Sequence, residues 1–282
     1  MAKEVIKPIQ ISKTKITRNE IIISIIFIIS VVFLSIWIKG FFSVDDASTY
    51  LTIVGLIYGV FAAFAVQMVW ERYNKIIDNL GEELTSLGNV YRLTKSLSDK
   101  KTLIKFYRKL ADYLRGCLST SWDDFEEAKI LEKQSAELFE TLSKVEAKGD
   151  AESLYWGACF EELRDANTAR SHQLVLSTTP LPKIIWGLLI LLSLSLVGGI
   201  LFVVFEDNLL NILVKIIMSV ASYSILVVIY HIDSLELSTE KVEEEPTKEL
   251  IIKIEKEIIE LETKERESQK AVNEKYQRRN RF

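Results

Sequence analysis

The side chains that could carry out chemistry are few and scattered in this sequence. It has two histidines, His172 and His231, and two cysteines, Cys117 and Cys159. None of them lies in a phosphate-binding glycine loop, a nucleophile elbow, a paired-cysteine zinc site or a two-histidine zinc helix. The glutamate run at 243–245 lacks the spaced oxygen ligands of a calcium-binding loop. The sequence therefore predicts no catalytic residue, no metal site and no cofactor, and the protein is not expected to be an enzyme.

The elements that must position any site are four long apolar stretches, two near the start of the chain and two near its end. Each is close to the roughly 20 helical residues that cross a hydrocarbon core of about 30 Å. The stretches are 21–38, 51–70, 184–205 and 209–230. A water-soluble core does not need four such runs. The sequence therefore predicts an all-α integral membrane protein with two plus two transmembrane helices and a helical cytoplasmic domain.

Basic residues flank these stretches on one side. They precede the first stretch, follow the second and lead into the third. Such an excess of Lys and Arg marks the cytoplasmic side of a membrane. They are Lys3, Lys7, Lys13, Lys15, Arg18, Arg72, Lys75 and Lys183. Both termini and the middle region are therefore expected in the cytoplasm, and the protein in the plasma membrane. The net charge of -4 is too small to indicate a nucleic-acid partner.

Composition divides the chain into five predicted segments. They are a basic N-terminus (1–20), the first two spans (21–70), a cytoplasmic helical domain (71–179), the last two spans (180–231) and a helical cytoplasmic tail (232–282). Because no proline interrupts residues 52–91, the second membrane helix is predicted to continue unbroken into the middle region. Cys117 and Cys159 fall in that region, where reduced thiols are expected to pack as small apolar residues.

The second span is rich in small residues, unlike the other three. Gly55 and Gly59 form a GxxxG pair, which permits close approach between membrane helices. One hypothesis is tight packing within a single subunit. The other is that this helix lines a pore at a subunit interface, with an apolar face that gates by wetting. The residues on that face are Thr52, Leu56, Gly59, Val60 and Ala63.

Charges near the outer ends of the spans are candidates for the mouth of such a pore. The two outer loops carry Asp45 with Asp46 and Glu206 with Asp207. Carboxylates that ring a mouth would concentrate cations. Lys215 lies inside the fourth apolar run, about 9 Å from its outer end at about 1.5 Å per residue. It is either a functional intramembrane charge, or a side chain that reaches the surface or pairs with the loop carboxylates.

Several short motifs share the pattern of one protein family. They are Gly55 to Gly59, Trp70 to Tyr73, Glu83-Leu84 with Leu87, Tyr91 to Leu93, Arg164-Asp165 with Arg170, and Pro182 with Trp186. These segments resemble the bestrophin channels and, more closely, the bestrophin-like family of unknown function found in prokaryotes and plants. The resemblance extends from about Leu51 to Phe205.

The resemblance implies a homo-oligomeric ion channel whose second helices surround the axis. True bestrophins are pentamers, so the resemblance implies a pentamer, with other numbers of copies left open. The resemblance places Thr52, Leu56 and Val60 on the pore face. Bulky aromatic residues common in the animal pore neck are absent from these three positions, and no acidic calcium clasp is evident. Calcium gating is therefore not expected from the motifs.

Two functions are compatible with the sequence. The first is an oligomeric channel, embedded in the lipid bilayer, that passes small inorganic ions through a pore lined by the second helices. The second is a non-conducting membrane scaffold or sensor whose cytoplasmic helices bind a protein partner. Assembly distinguishes them, because a pore needs several copies around an axis, whereas a monomer or dimer favours the scaffold.

Overall fold

The computed structural model describes residues 18–38, 42–119, 125–204, 208–234 and 244–279. The helices are α1 (Arg18–Trp37), α2 (Val44–Thr94), α3 (Lys100–Ser119), α4 (Phe125–Leu142), α5 (Asp150–Ser177), α6 (Lys183–Leu201), α7 (Asn208–Asp233) and α8 (Glu244–Arg279). Two short strands, β1 (Phe42–Ser43) and β2 (Val203–Val204), pair in parallel. The all-α prediction is confirmed, with this short ladder as an addition.

Three of the described helices contain stretches long and apolar enough to cross a membrane. The helical segments that contain them are Ala47–Thr94, Lys183–Leu201 and Leu209–Asp233. The apolar part of α1, Ile22–Trp37, is shorter. Each of the four predicted apolar runs contains a helix, but the third run, predicted over 184–205, is helical only as far as Leu201, and Val203–Val204 forms strand β2. The count of four complete spans stays a prediction.

Helix α2 is a single helix of 51 residues. This confirms the prediction that the second apolar helix continues unbroken beyond its apolar part. The described chain separates into two compact units, each with its own core. The first, here called the apolar unit, comprises residues 18–75 and 178–234. The second, here called the polar unit, comprises Ile76–Ser177 and α8.

The core of the apolar unit lies along one side of α2. Tyr58, Ala62, Ala65 and Val69 are buried there and pack with Leu189 of α6. Their spacing of three and four residues places them on one helical face. Small side chains on this face allow the helices to approach closely, and the Tyr58 hydroxyl donates to the backbone oxygen of Ser222 on α7 at 2.8 Å.

The core of the polar unit is centred on α3. Its buried residues include Leu103, Phe106, Tyr107, Leu110 and Leu114. Helices α4 and α8 both pack against α3. The apolar residues of α8 at three- and four-residue spacing, including Ile251 and Ile254, are buried in this core. The apolar seam of the tail is therefore used within its own unit.

Candidate functional site

The five predicted pore-lining residues lie on a side of α2 that the protomer leaves uncovered. Leu56 is 68 % exposed and Val60 is 46 % exposed. Thr52, Gly59 and Ala63 are exposed as well. We call these five residues the small face. An uncovered apolar face is available to a pore, to lipid or to another copy of the chain, and the pore-lining role stays a prediction.

A second uncovered face of α2 lies roughly 100° further around the helix, since each residue advances by about 100°. It carries large apolar side chains and is here called the bulky face. Its members are Ile53, Ile57, Phe61, Phe64 and Met68. Reasoning from the sequence missed this face, although large residues at spacing of three and four were a visible signal. Helix α2 thus has one covered side and two uncovered apolar sides.

The two glycines of the GxxxG pair have different surroundings. A Cβ added at Gly55 would lie 3.7 Å from Cδ1 of Leu196 on α6, which is ordinary van der Waals contact. A Cβ added at Gly59 would meet nothing within 4 Å. Gly55 therefore packs inside the protomer, whereas Gly59 belongs to the uncovered small face.

The small face is continued by polar residues toward the end of the part of α2 that belongs to the apolar unit. Gln67, Glu71 and Asn74 continue it at helical spacing, and all three are exposed. The Glu71 carboxylate pairs with Lys75 at 2.7 Å, and this ammonium lowers the pKa of Glu71. The apolar lining of this face is thus about four turns long before polar groups begin.

The candidate mouth charges are only partly described. Asp45 is exposed at the start of α2. Glu206, Asp207 and the side chain of Asp46 lie outside the described residues. Lys215 is 0 % exposed, and its Nζ has no hydrogen-bond partner among the described residues. A role for these charges at a pore mouth stays a prediction.

A buried carboxylate, Asp233, joins three parts of the apolar unit. Arg72 Nη1 donates to Asp233 Oδ1 at 2.5 Å, and Arg72 Nη2 donates to the Asp233 backbone oxygen at 3.0 Å. The backbone N–H of Leu181 donates to Oδ1 at 2.8 Å, and Trp186 Nε1 donates to Oδ2 at 3.2 Å. The motifs containing Arg72 and Trp186 therefore hold α2, the start of α6 and the end of α7 together. The role of Asp233 was not visible in the sequence.

The polar unit contains a second buried carboxylate, Glu83 of α2, which is 4 % exposed. It accepts hydrogen bonds from the Tyr113 hydroxyl and from Gln173 Nε2, the latter at 2.8 Å. Arg170 Nη1 donates to Gln173 Oε1 at 3.3 Å. Burial raises the pKa of Glu83, and the nearby Arg170 charge opposes part of that rise. This cluster bonds α2, α3 and α5 to one another.

The remaining candidates for chemistry are not brought together. Cys159 is buried, Cys117 is half-buried, and His172 is exposed. Within the described ranges, no group of three or more His, Cys, Asp or Glu side chains is placed to hold a metal ion. Among the described residues, the exposed apolar faces of α2 are therefore the candidate functional site.

The chain is similar in sequence and in fold to one family. The family model named "Bestrophin-like domain" matches residues 43–235. No curated protein sequence matches the chain.

Two variants of a bacterial bestrophin homolog from Klebsiella pneumoniae are similar in structure. Both are 12 % identical to this chain, and their TM-scores are 0.63 and 0.64. The alignments cover 84 % of this chain and 99 % and 98 % of the homolog chains. A further structure of the homolog aligns at 11 % identity and a TM-score of 0.61, covering 86 % of this chain and 97 % of the other. At such identity the likeness shows a common fold.

These similarities and the apolar helices indicate a membrane protein, as the sequence predicted. The match to the family model extends over more than half of the chain and includes all of α2, α6 and α7. The protein belongs to the bestrophin-like family.

Proposed function

We propose that this protein is an oligomeric ion channel whose pore is lined by α2 helices from several copies. The observation that carries the proposal is the pair of uncovered apolar faces on α2. A helix that lines a pore between subunits needs one face for the ions and another for its neighbour. A helix that packs only within one protomer would turn both faces to lipid, and conductance and oligomeric state distinguish the two cases.

The small face is proposed to line the pore, and the bulky face to contact the next copy or lipid. Leu56 and Val60 are one turn apart and strongly exposed. A ring of such side chains forms a dewetted constriction that opens when it widens and fills with water. An apolar constriction has little preference for charge, so the mouths are proposed to set ion selectivity. Asp45 is the described residue best placed for that role at the start of α2.

The experiment is ion flux and single-channel conductance of the purified protein in liposomes. Leu56→Ala and Val60→Ala each shorten a side chain on the small face. Both are expected to raise conductance or open probability, because a wider and less apolar constriction wets more readily. Reversal potentials under salt gradients then identify the permeant ion.

Leu191→Ala is the matched control. Leu191 is a strongly exposed leucine on α6 and belongs to neither face of α2, so its truncation should leave conductance unchanged. Absence of conductance in the wild type over a range of voltage, calcium and pH would contradict the proposal. A monomer or dimer in native mass spectrometry would do the same and would favour the scaffold.

Cysteine accessibility distinguishes the two faces. A water-soluble thiol reagent should block current through Leu56→Cys, whereas Phe64→Cys should be unaffected. Block of Phe64→Cys alone would assign the pore to the bulky face. If the reagent blocks current through neither variant, α2 does not line the pore.

A further inference from the structure

A groove between α2 and α8 opens on the surface of the polar unit. Its volume is about 370 Å³, which lies toward the lower end of the range for small-molecule sites. We call it the α2–α8 groove. The lining residues that bear on its chemistry are Leu84, Gly88 and Arg92 of α2 and Pro246, Leu250 and Lys253 of α8.

The two helices run in the same direction along the groove. The Tyr91 hydroxyl of α2 donates to the backbone oxygen of Lys253 on α8 at 3.2 Å. Four residues further along each helix, Lys95 pairs with Glu257 at 2.8 Å. Because both contacts advance together, residues in the same order on α2 and α8 lie side by side. These two contacts also fix the distance between the helices at one end of the groove.

The groove is apolar at one end and cationic at the other. Leu84 and Pro246 lie at the first end, and Arg92 and Lys253 lie at the second. Leu84 and Arg92 are eight residues apart, which is about 12 Å along a helix at about 1.5 Å per residue. The lining therefore suits an elongated ligand with one apolar end and one anionic end.

Gly88 leaves the middle of the groove open. It lies four residues from both Leu84 and Arg92, so the three share one stripe of α2. A Cβ added at Gly88 would meet nothing within 4 Å, so packing within the described chain does not require glycine there. Glycine inside a helix is less stable than alanine. The position therefore keeps a hollow that the fold itself does not need.

The Arg92 guanidinium is held beside this hollow by neutral acceptors. Its Nη2 donates to Asn89 Oδ1 at 2.6 Å, and its Nε donates to the Gly88 backbone oxygen at 3.4 Å. Asn89 is itself oriented, because its Nδ2 donates to Glu162 Oε2 at 3.0 Å. The other exposed arginines of the described polar unit each pair with a carboxylate, and these are Arg108, Arg115, Arg164 and Arg266.

One carboxylate also lines the groove, and its charge is already compensated. Glu249 Oε2 lies 3.2 Å from Lys253 Nζ. Of the described cations that line the groove, Arg92 is therefore the one without a carboxylate partner. A guanidinium in a fixed orientation presents N–H groups in a planar fork that matches the two oxygens of a carboxylate.

We propose that the α2–α8 groove binds a small linear aliphatic carboxylate. The ligand carboxylate accepts hydrogen bonds from Arg92, and its tail passes Gly88 toward Leu84 and Pro246. The single positive charge of Arg92 matches a monocarboxylate better than a doubly charged phosphate. The site lies within the polar unit, and it does not depend on the pore proposal.

The test is ligand-observed NMR of hexanoate with the full-length protein in phosphatidylcholine nanodiscs. Saturation transferred from the protein to the ligand protons reports their contact. The wild type is expected to show saturable transfer, strongest for the tail protons, with an affinity in the millimolar range as befits a ligand of few atoms. Equal transfer in nanodiscs without protein would show that hexanoate only dissolves in the lipid, and this would overturn the proposal.

Two other compounds separate the contribution of the charge from that of the tail. Hexanamide has the same tail without the charge and should bind about tenfold or more weakly, as loss of a charge-assisted hydrogen bond predicts. Acetate has the charge without the tail and should not displace hexanoate. Equal binding of hexanamide and hexanoate would contradict recognition of a carboxylate, and displacement by equimolar acetate would contradict a role for the tail.

Arg92→Gln removes the cation and should weaken the affinity for hexanoate by about tenfold or more. Arg164→Gln is the matched control, because Arg164 is an exposed arginine of α5 that pairs with Asp165. It should bind hexanoate as the wild type does. Equal affinity of the two variants for hexanoate would overturn the proposal.

Gly88→Leu fills the hollow and should abolish hexanoate binding, while the thermal midpoint stays the same or rises because a helical glycine is removed. Gly157→Leu is the matched control, since a Cβ at Gly157 of α5 also meets nothing within 4 Å, and it should keep the binding. If Gly88→Leu does not fold, Gly88→Ala adds one carbon to open space and is expected to weaken binding several-fold. Wild-type affinity in a folded Gly88 variant would show that the groove is not the site.

Discussion

Arg72 and Asp233 are 161 positions apart in the chain and form an ion pair with 2.5 Å between Nη1 and Oδ1. Their side chains are only 12 % and 9 % exposed. The same carboxylate also accepts the Leu181 N–H and the Trp186 indole N–H. The pair therefore fixes the end of α7 to α2 and to the start of α6.

Asp233→Asn should destabilise the apolar unit strongly. The substitution leaves the Arg72 guanidinium buried without an opposite charge, which costs about 3–5 kcal/mol. The measurement is thermal or SDS-induced unfolding of the purified protein. Asp165→Asn is the control, because the Arg164–Asp165 pair is 68 % and 50 % exposed, and it should change stability by less than about 1 kcal/mol. Equal effects of the two substitutions would refute a structural role for the buried pair.

Glu83 should make stability depend on pH. Burial raises the pKa of this carboxyl above its ordinary value of 4.5, so the folded state keeps the proton at a pH where the unfolded chain has lost it. The resulting stabilisation is complete below about pH 4.5 and is lost as the pH rises through the raised pKa.

The substitution Glu83→Gln should remove that part of the pH dependence, because its side chain stays neutral throughout. The thermal midpoint between pH 4.5 and 8 gives the measurement. Glu140→Gln alters an exposed glutamate whose pKa Lys144 lowers, and it should retain the wild-type decline. An unchanged decline in the Glu83→Gln variant would show that another group titrates.

Gly199 of α6 should not tolerate a side chain. A Cβ there would lie 2.6 Å from Cε1 of Tyr50 and 3.1 Å from Cδ2 of Leu51. The Tyr50 ring is held in place by a 2.7 Å hydrogen bond between its hydroxyl and Ser195 Oγ. Gly199→Ala is expected to destabilise by about 1–3 kcal/mol through overpacking. Gly198→Ala is the neighbouring control, with nothing within 4 Å of its added Cβ, and the prediction fails if both variants melt alike.

The two native cysteines should be unreactive in the folded protein. Burial raises the pKa of Cys117 and of Cys159 to about 12, so the reactive thiolate is scarce at neutral pH. Mass spectrometry after maleimide treatment at pH 7.5 should find both unlabelled, and both labelled once the protein is unfolded. Labelling of either in the folded state would contradict the burial. If the prediction holds, the thiol-reagent experiment on Leu56→Cys and Phe64→Cys can be done without first replacing the two native cysteines.

Local pattern predicted the helices because apolar spacing and proline position act over a few residues. The unbroken course of α2 follows from such rules. Membership of the bestrophin-like family was also visible in short motifs, and the family model confirms it.

The partners of individual residues could not be predicted in this way. Asp233 finds Arg72 across 161 positions, and nothing in the local sequence marks that pairing. Lys215 was recognised as an unusual charge, but its complete burial depends on how α7 packs within the apolar unit. The spacing of the bulky face of α2 was visible in the sequence, but its exposure depends on which side of the helix the protomer covers.

The apolar unit is assembled from two parts of the chain, with α3, α4 and α5 encoded between them. A ribosome adds about 5–20 residues per second, so α2 is complete roughly 5–20 s before α6 and roughly 7–28 s before α7. During that interval the residues from Tyr58 to Val69 have no α6 to cover them. Because the unit is built from two parts of the chain, the order of synthesis is a factor in its folding. The delay also gives the insertion machinery of the cell a period in which to hold the first helices.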